Sequence, residues 1–180
     1  MSLTKTYRSG TYPLALILSL SLADLAHARS THTFANLGMQ SFATHCFSPF
    51  LTRQKAVDVF GVTGFAYDFY DLDPFSSAAP SPAEGRKVTV GTDRRCEISF
   101  DGTHGLQAAD VAIAALKSEG LDTHADVPAH FIRTADTTLL AARRLNPRRV
   151  AVVHVGTRVG ENGIETFMSV ERLLPEQVEG

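Results

Sequence analysis

Two hydrophobic spacings alternate along this chain. In "TFANLGMQSFATHC", from Thr33 to Cys46, the residues Ala35, Met39, Phe42, Ala43 and Cys46 recur at helical steps. This predicts a helix with Thr33 as N-cap, stopped by Ser48-Pro49. Thr52 can cap a shorter helix to Phe60 that turns Ala56, Val59 and Phe60 inward. "FAYDFY", Phe65 to Tyr70, then alternates and reads as a strand. A long stretch rich in Pro, Ser and Ala follows, from Asp71 to Val90, and reads as a loop.

"RCEISF", Arg95 to Phe100, is a second strand closed by an Asp101-Gly102 turn. Leu106, Ala109, Ala112, Ile113 and Leu116 make the apolar stripe of a third helix that ends at Gly120. "DTHADVPAHFI" reads as connection. Three strands complete the pattern: "TTLLAARRL", "RVAVVHV" after an Asn146-Pro147 turn, and "ETFMSVERL" after a loop from Gly156 to Gly163. Short loops imply antiparallel pairing. Val150 and Val152 point one way and Ala151, Val153 and Val155 the other, so the middle strand is expected at the centre of the sheet. The fold class is α+β: a single two-layer domain, an antiparallel sheet packed against helices.

The N-terminus adds a location. Lys5 and Arg8 precede the uncharged run "LALILSLSL", and Ala26 and Ala28 supply small residues before Arg29. Basic, apolar and small-residue regions in that order predict a signal peptide over residues 1–28, leaving residues 29–180 as the mature domain. The apolar run is shorter than the roughly 20 residues a spanning helix needs, so no stable membrane insertion is expected after cleavage. The protein is therefore expected outside the cytoplasm, in a periplasm or in the medium. There the chain's two cysteines, Cys46 and Cys96, should form a disulfide bond. His45 adjoins Cys46 but diverges from it on a helix, which argues against an activated thiol.

Charge narrows the function. A net charge of −2 lacks the concentrated positive field that nucleic acid requires. Phosphate-loop, dinucleotide, zincin and nucleophile-elbow signatures are absent, so no catalytic residue, metal or cofactor is assigned. Four arginines flank the Asn146-Pro147 turn: Arg143, Arg144, Arg148 and Arg149. The plain reading is a solvated hairpin tip, with at most about half converging on one side; an anion site is the alternative. Asp93 beside Arg94 and Arg95 suggests a local ion pair.

Asp68, Asp71 and Asp73 in "YDFYDLDPF" lack calcium-loop spacing and read mainly as strand end and turn. His154, in an apolar strand, reads as a core histidine. The expected function is binding of a small ligand or protein partner, without catalysis. The candidate contacts are Tyr70, Asp71, Asp73, Arg94 and His154, with the 71–90 loop as the contact surface. The alternative is an extracytoplasmic hydrolase or metal-dependent enzyme that pairs His154 with Asp71 or Asp73.

Overall fold

The computed structural model describes residues 32–63, 65–71 and 92–173. Six strands form one sheet: β1 (Ala66–Asp71), β2 (Thr92–Asp101), β3 (His124–Ala125), β4 (Thr137–Asn146), β5 (Arg149–Gly160) and β6 (Gly163–Leu173). Their order is β1-β2-β6-β5-β4-β3, and every neighbouring pair is antiparallel. The helices are α1 (residues 32–41), α2 (Arg53–Phe60) and α3 (Gly105–Ser118), and α1 continues as a π turn over Phe42–Cys46. Together they make an α+β fold.

Strand β5 carries apolar residues on both faces, as its alternation predicted. Val153 and Val155 join the main core with Ile98, Met168 and the inward residues of all three helices. Val150 and Val152 join Ala142 and Leu173 in a second cluster. The sheet extends further than expected toward the β5–β6 connection. The expected loop at Gly156–Gly163 is strand as far as Gly160, and only Glu161 and Asn162 turn. A two-residue hairpin loop keeps the ladder paired up to Gly160↔Gly163, and Gly163 supplies the positive φ of +121°. A short strand, β3, also replaces part of the expected 122–132 connection.

The helices follow local chemistry. Thr52 caps α2 by accepting a 3.3 Å bond from the Lys55 amide, an interaction typically worth about 1 kcal/mol. Thr33 is not a cap, because residue 32 is already helical. Ala35, Met39, Phe42 and Cys46 face the core as predicted. Gly38 lets α1 lie directly on β2, since a Cβ there would come within 2.6 Å of the Phe100 ring.

Helix α3 corrects its predicted stripe. Leu106 is 80% exposed and Ile113 is 48% exposed, whereas Ala108, Ala112 and Ala115 are buried with Leu116. Alanines let the helix axis approach the sheet closely, so the buried face is small rather than bulky. At its end, Gly120 takes a φ of +69° and Leu121 N–H donates back to the Leu116 carbonyl at 2.9 Å. This closing motif turns Leu121 back toward the core.

Cys46 and Cys96 are disulfide-bonded, with a Cα–Cα distance of 5.3 Å and 50 residues between them in sequence. The bond joins the π turn after α1 to β2. Closing a loop of this length stabilises the fold by about 4 kcal/mol in the chain-entropy picture. Among the described residues, no helix is long and apolar enough to cross a membrane.

The burial pattern of α3 makes a direct test. Leu106→Ala should change stability by less than about 0.5 kcal/mol, whereas Ala112→Leu should cost roughly 1–3 kcal/mol by overpacking. Chemical denaturation of both variants checks this; a larger loss from Leu106→Ala would refute the orientation of the helix.

Candidate functional site

Residues directly opposite each other in a sheet share a face. Following that rule across the register gives one row that crosses all six strands: Asp71, Arg94, Arg172, Ala151, Arg143 and His124. Two residues along, the next row contains Phe69, Cys96, Val170, Val153 and Ala141. Cys96 is bonded to the helical side, so the arginine row lies on the helix-bearing face. It occupies the end of the sheet beneath the π turn.

Arg94 and Arg172 stand opposite one another, a destabilising arrangement for like charges unless it is neutralised. Two carboxylates do this. Arg94 donates to Asp71 Oδ2 at 2.7 Å, and both side chains are largely buried. A register shift between Thr92 and Arg94 marks the position of Asp93. The Asp93 carboxylate bridges two cations, accepting from Arg149 Nε at 2.8 Å and Arg172 Nε at 2.6 Å. Arg94 also donates to the Ser48 carbonyl at 3.0 Å and the Pro49 carbonyl at 3.4 Å. That guanidinium therefore ties the segment following the π turn to the sheet.

A cavity of about 270 Å³ opens here. Ala151 and Val170 form its floor on the sheet, and Cys46 and Phe47 cover it from the helical side. Leu121 and Leu145 supply apolar walls, while Arg94, Arg149 and Arg172 supply charge. Ala151 is the small member of the row between two arginines, and its missing bulk leaves the space. Leu121 reaches the wall because the Gly120 turn redirects the chain after α3.

The residues singled out from sequence divide between the two faces. Asp71 and Arg94 meet in this row. Asp71 is the last residue of β1 and is buried, rather than beginning a loop. Tyr70 and His154 lie on the opposite face, in the rows of Arg95 and Glu97 respectively. His154 Nε2 is 3.1 Å from Thr137 Oγ1, and its ring stands edge-on to Phe167. The sheet itself thus separates His154 from Asp71. Asp73 and the remainder of the 71–90 loop fall outside the described residues. Among the described residues, no group of three metal-ligating side chains is present.

The expected local pairing of Asp93 with Arg94 and Arg95 is replaced by longer-range bonds. Arg95, fully buried, pairs with Asp68 on the far face. That face also holds Arg158 against Glu97 at 2.6 Å and against Glu165. Burial opposes the charge on Arg158, but the two glutamates outweigh it and hold its pKa above the ordinary value. Burial raises the Tyr70 pKa, partly opposed by Arg95. Of the four hairpin arginines, Arg143 and Arg149 turn onto the helix-bearing face, while Arg144 and Arg148 are exposed.

Sequence reading missed Arg172, Ala151 and the bridging role of Asp93. A usable signal existed in the strand phase. Arg172 keeps the alternation of the buried Met168 and Val170, and Arg94 keeps that of Cys96, Ile98 and Phe100. A cation on the apolar phase of a strand marks a charge held against the core. Comparison with protein-family models, curated proteins and solved structures finds no match.

His104, just before α3, provides a pH test. Burial lowers its pKa below the ordinary histidine value, and the nearby His32 lowers it further. The folded state therefore prefers the neutral ring, and the unfolded chain takes up the proton first. Stability should fall as pH drops from about 6.5 through the lower folded-state value. His104→Gln should flatten that portion of the curve in denaturant titrations from pH 7.5 to 5; a parallel slope in both proteins would contradict the assignment.

Proposed function

We propose that this chain is an exported, non-enzymatic binding domain, a single two-layer unit whose ligand occupies the cavity beneath Cys46–Cys96. The observation that carries this reading is the composition of the cavity wall. It combines apolar side chains with a few convergent polar groups, the usual make-up of a small-molecule site. Among the described residues, its titratable side chains are arginines, apart from a cysteine locked in the disulfide. Arginine remains charged across the working pH range and cannot exchange a proton as a general acid or base. With no nucleophile or proton carrier in the wall among the described residues, binding fits this site better than turnover.

A larger depression of about 610 Å³ lies at the sheet corner, near Phe34, Phe65, Tyr67 and Asp101. Arg158, which also lines it, is already engaged by Glu97 and Glu165. The cavity under the disulfide has the more available binding groups.

Export is supported by the order of charged, apolar and small residues in 1–28 together with the disulfide. Intact mass of protein from its natural host should show a chain beginning at Arg29 with both cysteines oxidised. A full-length chain with two free thiols would contradict export.

Binding is tested by thermal shift with small carboxylates, phosphates, sugars and divalent metals. A ligand at about 100 times its Kd adds roughly 2.7 kcal/mol, or a Tm rise of about 5–10 °C at this size. Ala151→Phe, or the milder Ala151→Leu, fills the floor and should abolish that rise. A response to metals alone, or one that survives both substitutions, would overturn the choice of cavity.

A further inference from the structure

We infer that the ligand is an amphipathic monoanion, with its charged head on Arg149 and a short apolar body against Phe47, Leu121 and Leu145. This inference rests on the binding reading above and adds the chemical class of the ligand.

Arg149 is the cation best placed to receive a ligand. It commits Nε to Asp93 Oδ2, and among the described residues its two terminal nitrogens make no hydrogen bond. Its side chain is 36% exposed, placing this donor edge at the cavity mouth rather than sealed within it. A guanidinium fork matches the two oxygens of a carboxylate or sulfonate. Arg94 adds a second feature from inside. Its side chain is nine-tenths buried, and its Nε has no hydrogen-bond partner.

Charge counting agrees. Among the described residues that line the cavity, the charged side chains are Arg94, Arg149 and Arg172, and the carboxylates bonded to them in the described structure are those of Asp71 and Asp93. An incoming anion therefore meets a net positive field. A doubly charged head is disfavoured by Asp93, which already bridges Arg149 and Arg172 from the protein side. A metal cation is disfavoured because no carboxylate lines the cavity among the described residues. The volume of about 270 Å³ holds about nine non-hydrogen atoms at roughly 30 Å³ each, the space of a liquid water molecule. That suits the apolar body of an eight-carbon carboxylate whose head lies at the mouth, and excludes a sterol-sized ligand.

Calorimetric titration of the oxidised protein with octanoate, octanol, octylamine and acetate tests the class. Octanoate should bind about tenfold to a hundredfold tighter than octanol, the range for one or two charge-assisted hydrogen bonds. Acetate should bind weakly for want of an apolar body, and octylamine should not bind. Arg149→Gln should remove the preference for octanoate while leaving octanol unchanged, and Arg149→Lys should retain part of it. Thermal denaturation of each variant verifies that it is folded. Octyl sulfonate separates a carboxylate from other single-charge heads, and binding of either supports the monoanion. Equal affinity for octanoate and octanol, or full octanoate affinity in Arg149→Gln, overturns the anion assignment while leaving the cavity as the site. No binding of any probe to the wild type overturns the eight-carbon monoanion. Failure of the broader ligand panel as well would bring down the binding reading itself.

Discussion

The covalent link between Cys46 and Cys96 sets the geometry on which the other features depend. It fastens the π turn at the end of α1 to β2, one strand in from the sheet edge. Without it, among the described residues, the cover provided by Cys46 and Phe47 would be held over the sheet by packing and by the Arg94 bonds to Ser48 and Pro49. The crosslink restrains the unfolded chain, and the Arg94 contacts choose where the freed segment lies in the folded one. Both act on the same few residues. The cavity is therefore as well defined as the attachment of the π turn.

The arginine row shows the balance between cost and use. Burying a guanidinium is expensive unless a carboxylate answers it, and removing one partner of such a pair typically costs about 3–5 kcal/mol. Asp71 and Asp93 meet that need for Arg94, Arg149 and Arg172. A purely apolar end of the sheet would often be as stable or more so, so stability alone gives no reason to place three cations beside a cavity. The proposed binding role would give their arrangement a use. The Ala151 floor and the leucine walls place apolar space beside that charge.

Local regularities were readable from sequence and long-range partners were not. The two-faced alternation of Val150 to Val155 placed β5 in the sheet interior, and the spacing of Ala35, Met39, Phe42 and Cys46 gave the inward side of α1. The α3 stripe was misphased because Leu106 and Ile113 dominate a hydrophobicity pattern, while close helix–sheet approach selects alanine. The candidate site was half legible. Arg94 and Asp71 were named separately, but their bond spans 23 residues, and the bonds from Asp93 to Arg149 and Arg172 span 56 and 79. Adjacent residues on a strand point to opposite faces. The apparent Asp93–Arg94 neighbour pair was therefore misleading, and only the register reveals the true row.

The attachment of the π turn can be measured directly by hydrogen–deuterium exchange on oxidised and gently reduced protein under otherwise native conditions. Reduction should accelerate exchange across residues 42–51 and leave the β5–β6 hairpin protected. Unchanged protection across 42–51 after both thiols are freed would show that the crosslink does not hold the cavity's cover in place.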